Sequence, residues 1–363
     1  MYTVITYSSY VSNNNNKVSS SMTRARAELV DLSATSYYHC INRCVRRAFL
    51  CGSDHLTGKN YEHRKTWVVE RLTELASAFA VEVCAYAVMS NHYHLVLRVN
   101  KEAAENWTED EVIERWQQLF KLPLLVKRYV SKKTTSIAEI EVAQEIIGVW
   151  RERLSNISWY MRMLNEHLAR KANAEDNCKG LFWEGRFKSQ ALLDDAAVLT
   201  CMSYVDLNPI RATMADSLEN SDFTSIQQRI NHWQTTQQEN KPRKKATIAN
   251  PIKNKVPLVP LVSASLDTHI HSIGYQEKDY LELVDWAGRG ICEGKRGYIP
   301  DYVPQILNRL GIEPENYLQH VQGKRPQILM TQALGRIEKL REYAAQLGVK
   351  FIKGYKLSQA IYR

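Results

Sequence analysis

The sequence predicts an α+β chain in which an antiparallel sheet is backed by helices and followed by a mostly helical C-terminal part. Three observations carry this. Residues 88–99, Val-Met-Ser-Asn-His-Tyr-His-Leu-Val-Leu-Arg-Val, alternate polar and apolar side chains with period two, which is a strand pattern. Residues 61–79 and 157–172 repeat apolar residues at helix spacing. Beyond His232, Gln-rich sequence gives way to Lys241-Pro242-Arg243-Lys244-Lys245 and four prolines by Pro260, a linker or a strap hugging the surface.

Residues 1–21, Ser- and Asn-rich around Asn13-Asn14-Asn15-Asn16, are expected to form a disordered extension, and Met22 is a possible natural start. Residues 22–232 are expected to form the first domain. Tyr37-Tyr38-His39-Cys40-Ile41-Asn42-Arg43 reads as its first strand, and 61–79 as a helix burying Trp67, Val68, Leu72, Leu75 and Ala76. Residues 81–89 and 92–99 then pair across a two-residue Ser90-Asn91 turn. A charged stretch at about 100–150 is a helical insertion, with Trp107, Val112, Ile113, Trp116, Leu119 and Phe120 on one packed face. After the helix at 157–172, residues 180–188 form a loop running into another strand. Asp194 or Asp195 caps a helix that continues through Tyr204 and that Pro209 should end. Residues 233–262 make the basic, proline-containing linker, and 263–363 a helical, basic C-terminal domain.

The formal net charge is +9 and the pI about 9.1. In residues 324–363 nine Lys or Arg face only Glu338 and Glu342, leaving +7. Basic residues among eight Trp and nineteen Tyr suit a polyanion that offers faces for stacking, so single-stranded nucleic acid is the expected partner and the tail an auxiliary DNA-binding element. Many soluble proteins are equally basic, so charge supports this without carrying it. No apolar run is long enough to span a bilayer and no signal peptide opens the chain, so a cytoplasmic, membrane-free protein is expected. Seven irregularly spaced cysteines fit reduced thiols.

In a strand, His92 and His94 project side by side from one face while Tyr93 and Leu95 anchor the other in a core. The sheet's open face would then carry the pair. Neutral imidazole is the commonest metal ligand, although such pairs also occur as plain polar residues on a solvated strand. Tyr204 is a candidate nucleophile for phosphodiester chemistry. Its ordinary pKa of about 10 leaves little phenolate at neutral pH, so a neighbouring metal or cation must favour deprotonation. Asn208, four residues on, shares its helix face, so its amide oxygen can complete a two-His-plus-amide set. Open positions and mixed nitrogen and oxygen ligands suit Mg²⁺ or Mn²⁺, and zinc is not excluded. Asp206 lies roughly 200° around the helix from Tyr204, away from the site. Taken singly, Tyr204 reads equally as core and Asn208 as the residue before a proline.

His92-Tyr93-His94, then Gly180-Leu181-Phe182-Trp183-Glu184-Gly185-Arg186-Phe187-Lys188, then Tyr204-Val205-Asp206-Leu207-Asn208-Pro209-Ile210-Arg211-Ala212 closely resemble the HUH single-tyrosine transposases, most of all the REP-associated tyrosine transposases. The resemblance spans residues 22–232. It implies a ferredoxin-like antiparallel sheet with packed helices, a divalent ion on His92 and His94 with Asn208 as third ligand, and Tyr204 as the residue that becomes linked to a DNA 5′-phosphate. It further implies cleavage and rejoining at palindromic hairpins. The length of the 100–150 stretch and the C-terminal hundred residues depart from that family, and monomer and homodimer both stay open.

Trp183, Arg186 and Lys188 suit a strand entering a stacking groove, with Arg211 as a further DNA contact; Trp183 reads equally as packing. His269-Ile270-His271 repeats the tripeptide without a downstream Tyr-x-x-x-Asn and is taken as structural or solvent-exposed. Two rival functions remain: a DNA-binding regulator of the same fold that has stopped cutting, and a zinc hydrolase, for which Glu184 is the nearest carboxylate but lacks HExxH-like spacing.

Overall fold

The computed structural model describes residues 30–45, 49–54, 58–134, 136–239, 255–262, 273–289, 305–322 and 331–362. Chain order is β1 (Tyr37–Arg43), α1 (Arg64–Ala78), β2 (Val81–Val88), β3 (His92–Val99), α2 (Lys101–Asn106), α3 (Glu109–Gln117), α4 (Leu124–Val130), α5 (Ile137–Leu154), α6 (Ile157–Glu175) and β4 (Lys188–Leu192). It continues with α7 (Asp195–Asp206), α8 (Asn208–Arg211), α9 (Ser225–Glu239), α10 (Glu277–Arg289), α11 (Gln305–Arg309), α12 (Pro314–Gln322), β5 (Ala333–Leu334), α13 (Ile337–Gln346) and α14 (Tyr355–Ile361). The expected extension at 1–21 and His269-Ile270-His271 lie outside the described residues.

The strands form one sheet in the order β2-β3-β1-β4-β5. Neighbours are antiparallel except β4 and β5. The expected antiparallel sheet is therefore mixed, because Ala333-Leu334 from the C-terminal part adds a parallel edge strand. Met89 N–H donates to the His92 carbonyl at 2.8 Å and closes the Ser90-Asn91 turn.

Both faces of the sheet are covered. On the first, Tyr38, Cys40, Tyr93, Leu95 and Leu97 pack with Val68, Leu72 and Leu75 of α1 and Leu164 and Leu168 of α6. Within α1, Trp67 and Ala76 prove only half-buried, while Val69 and Ala78 take buried positions. The insertion joins this core. Trp116 stacks between Phe120 at 4.3 Å and Trp150 at 4.9 Å, and a Thr108–Glu111 capping box starts α3.

The second face lies under α7, and the expectation of an open face is overturned. Residues 196–206 are all buried, because a helix apolar nearly all round packs on the sheet by one side and on other helices by the rest. Val96, Ala85 and Ala87 of the sheet share this core with Leu199, Met202 and Val205, and with Leu283, Val284 and Tyr317 of α10 and α12. Of the polar residues that alternate along β3, His94 and Arg98 are buried and His92 is half-buried, and Arg98 pairs with Glu82 at 2.7 Å. Pro209 does not end the helical path. The break falls at Leu207, and Pro209 occupies the first turn of α8, where its missing N–H costs nothing.

The described residues from 263 onward join these two cores rather than enclosing one of their own. Leu334 and Leu340 are buried and Ile337 packs on the first core, so the basic tail expected to stand apart as a DNA-binding element is built into the sheet; Lys339, Arg341, Lys350, Lys353 and Lys356 remain exposed. Gly354 has φ +132°, and a Cβ there would meet the Ala333 carbonyl oxygen at 2.7 Å, so the turn before α14 approaches β5 as only glycine allows. Residues 255–262 run as a strap along β2, where Val259 N–H donates to the Val83 carbonyl at 2.9 Å. No helix among the described residues is long and apolar enough to cross a membrane.

Candidate active site

Strand register assembles the site. His94 on β3 lies opposite Ile41 and Val96 opposite His39, and His39 lies opposite Gln190 on β4. With odd residues of β1 facing α7, His94, His39 and Gln190 form a polar row across three strands. Ring centroids of His92 and His94 are 4.8 Å apart, and those of His94 and His39 5.2 Å. His94 Nδ1 meets His39 Nε2 at 3.0 Å, and His39 Nδ1 meets Gln190 Oε1 at 3.2 Å. From above, α7 presents Tyr204 edge-on to His94 at 5.8 Å and to His39 at 6.2 Å. Its position follows from the α7 N-cap, where the Asp194 carboxylate accepts from Ala197 N–H at 2.9 Å and, from the C-terminal part, Arg336 N–H at 2.6 Å.

The two imidazoles are donors of the kind a divalent cation takes. His92 Nδ1 faces the Asn91 Oδ1 acceptor at 2.7 Å, so Nδ1 carries the proton and Nε2 keeps its lone pair. His94 Nε2 is buried without a hydrogen-bond partner. Leaving such an atom unsatisfied costs about 1–3 kcal/mol, and a bound ion is one thing that explains it. Burial lowers the His92 pKa to about 4, aided by Arg43 and Arg211. Burial lowers His39 to about 4 as well, against the Gln190 hydrogen bond, and takes His94 well below the usual range. All three imidazoles are thus neutral near pH 7, as ligation requires. Asn208 donates from Nδ2 to the Tyr204 carbonyl at 3.2 Å, and its Oδ1 accepts from Arg211 at 2.6 Å, leaving one lone pair for a further contact. Among the described residues no three His, Cys, Asp or Glu side chains are grouped to hold a metal.

Tyr204 is 1 % exposed and His94 0 %. Burial raises the Tyr204 pKa, while Arg211 and Asn208 beside it pull the other way. The Arg211 guanidinium sits 3.9 Å from the Tyr204 ring centroid and donates to the Val321 carbonyl at 3.1 Å. Expected on the DNA, it is turned inward instead, because its position two turns beyond Tyr204 aims it under α12. Trp183 is also committed to the protein. Its indole N–H donates to the Asn165 carbonyl at 2.9 Å and its ring packs edge-on against Tyr93 at 5.7 Å. Arg186 and Lys188 are exposed, as a DNA contact requires. Asp206 faces away from the site, accepting from Ser225 Oγ at 2.5 Å, Ile226 N–H at 3.1 Å and Tyr280 Oη at 2.5 Å.

Sequence reasoning missed His39, Gln190 and Arg43, the last being directly opposite His92 in the β1–β3 ladder. The alternation of β1 places His39 on one face with Tyr37 and Ile41, but only the register between strands reveals which residues it meets.

No family model and no curated protein matches the sequence. The fold is similar in part to a solved structure of a REP-associated tyrosine transposase bound to a REP hairpin, with 11% sequence identity, a TM-score of 0.31, and 60% of this chain and 89% of that chain covered. A likeness of that size carries no argument about chemistry.

Proposed function

We propose that this protein is a metal-dependent, single-strand-specific DNA transesterase of the HUH single-tyrosine type, on the ferredoxin-like order β1-α1-β2-β3-α6-β4. One observation carries the proposal: the Tyr204 ring lies edge-on to an imidazole, His94, whose buried Nε2 has no hydrogen-bond partner, with a second imidazole 4.8 Å away. His92 and His94, with Asn208, would hold Mg²⁺ or Mn²⁺. A divalent ion so held supplies positive charge that polarises a phosphate. Tyr204 Oη forms the bond to phosphorus as the bond to the 3′-oxygen breaks. The phenolic proton leaves and the 3′-oxygen takes one up, giving a 5′-phosphotyrosine and a free 3′-hydroxyl. Arg211, whose guanidinium sits 3.9 Å from the ring centroid, favours the forming phenolate. Because the covalent link keeps the phosphoester energy, rejoining needs no nucleoside triphosphate. Arg186 and Lys188 hold the strand. A phosphate reaches Tyr204 only when the chain lying over it shifts, since the ring is buried.

That burial favours a second reading, a DNA-binding regulator of the same fold that does not cut. Incubating the protein with a labelled hairpin oligonucleotide and Mn²⁺ separates the two. An SDS-resistant adduct mapped by mass spectrometry to Tyr204 is expected; hairpin binding with no adduct favours the regulator, and an adduct on another tyrosine overturns the assignment.

A further inference from the structure

We propose that His39 is a positioning residue for the histidine pair: it locks His94 in the tautomer that presents Nε2, and it is itself oriented by Gln190 and by Thr331 of the C-terminal part. The inference rests on the reading of His92 and His94 as metal ligands and adds what sets their orientation.

The hydrogen bonds run in one direction. Gln190 Nε2 points at the carbonyl oxygen of Thr331, 3.4 Å away, and at its hydroxyl. A carbonyl can only accept, so the amide nitrogen belongs on that side and Oε1 must face His39. Oε1 accepts, so His39 Nδ1 carries the hydrogen of the 3.2 Å contact. In a neutral imidazole the other nitrogen is then an acceptor. His39 Nε2 therefore accepts across 3.0 Å, and His94 Nδ1 is the donor. That leaves the lone pair of His94 on Nε2, the buried atom without a partner. Asn91 does the same for His92 at 2.7 Å. Each imidazole of the pair thus has its Nδ1 held by an acceptor and its Nε2 free, the arrangement in which a second group fixes a ligating histidine. His39 does not ligate in this geometry, because its Nε2 is spent on His94.

The far end of the chain of bonds is not local. Thr331 lies 141 residues from Gln190, and Ala191 N–H donates to the Gln332 carbonyl at 3.0 Å. The strand that the C-terminal part adds to the sheet therefore also orients the histidine pair, a role that the basic character of that part does not suggest.

The test uses the full chain with Mn²⁺ alone as probe, free Mn²⁺ being followed by its electron paramagnetic resonance signal. Losing an outer partner of a ligating histidine weakens metal binding by about 10–100-fold. His39→Leu should show that loss, His39→Gln, which can accept from His94 and donate to Gln190, should recover most of it, and Gln190→Leu should weaken binding in the same direction. Two-bond proton–nitrogen spectra of histidine-labelled protein without metal should report the Nδ1–H tautomer for His94 in the wild type and in His39→Gln, and a mixture in His39→Leu. A folded His39→Leu that binds Mn²⁺ like the wild type, or a wild-type His94 protonated on Nε2, overturns the proposal. Should His39→Leu not fold, unchanged Mn²⁺ binding by Gln190→Leu overturns it equally. If His94→Ala also binds Mn²⁺ like the wild type, the metal reading itself is what has failed.

Discussion

The two faces of the sheet are equally dry and chemically opposite. Against α1 and α6 the strands present Tyr38, Cys40, Tyr93, Leu95 and Leu97, and the tyrosine hydroxyls reach Asp31 and Asn165 at 2.7 and 2.6 Å. Against α7 they present His39, His94 and Gln190 beneath Tyr204. Burial alone therefore does not mark the functional side. What marks it is the row of imidazoles beneath Tyr204, in which His94 Nε2 has no hydrogen-bond partner. Groups of that kind cost stability unless something binds them, whereas a buried leucine contributes roughly 1.5–3 kcal/mol.

The largest effect that sharpens this contrast is removal of what covers the second face. A chain ending at residue 231 loses α10 to α14 and β5 and bares Val205, Leu207 and their neighbours. Such a fragment is expected to be insoluble or unfolded by circular dichroism, and a soluble fragment with a cooperative melt would contradict the shared core. Point substitutions should then separate chemistry from stability. Tyr204→Phe should abolish the DNA adduct, and His92→Ala or His94→Ala should abolish metal-dependent cleavage without rescue by excess Mn²⁺, each in a protein that still folds. Leu97→Ala on the opposite face should do the reverse, costing about 2–5 kcal/mol in chemical denaturation while a folded population still forms adduct. Cleavage by the double histidine variant in the presence of chelator would sink the assignment.

A smaller effect distinguishes the faces by pH. Burial raises the Asp206 pKa from 3.8 to about 6 despite its hydrogen bonds to Ser225 and Tyr280. The folded state then binds this proton more tightly than the unfolded state, so the stability linked to Asp206 is greatest below pH 4 and is lost as pH rises to about 6. Two units amount to about 3 kcal/mol. Unfolding free energies of Asp206→Asn should therefore gain on the wild type by up to that order between pH 4 and 6. Parallel profiles would refute the buried-carboxylate account. The smallest effect belongs to the rim: Arg186→Ala with Lys188→Ala should leave the melt unchanged and flatten the salt slope of hairpin binding by about 0.7 per lost contact. An unaltered slope would remove both residues from the DNA path.

Much of the first face was legible in the sequence, because strand and helix periodicities are local. The bounds 37–43 of β1 and 92–99 of β3, the Ser90-Asn91 turn and a cap at Asp194 or Asp195 follow from neighbours in the chain, and the structure assigns the cap to Asp194. The histidine pair and the Tyr204–Asn208 spacing were legible for the same reason. The second face reads as open from the sequence, since polar alternation along β3 looks the same whether His94 and Arg98 meet water or each find partners across the sheet. Pro209 reads as a stop by local rules, although it sits in the first turn of a further short helix. Arg211 and Trp183 carry chemistry that suits DNA, yet which way a long side chain turns depends on what lies over it, and that is α12 in one case and α6 in the other.

By itself, then, the order of residues determined which side chains share a strand or helix face, and so the candidate nucleophile and the two imidazoles, because those relations are set by repeats of two and 3.6 residues. Tertiary structure alone decided that α7 closes over the pair, that His39 and Gln190 extend it across three strands, and that Thr331 anchors the row from 141 residues away. Strand register and helix docking are settled by complementary surfaces far apart in the chain, and no local pattern records them.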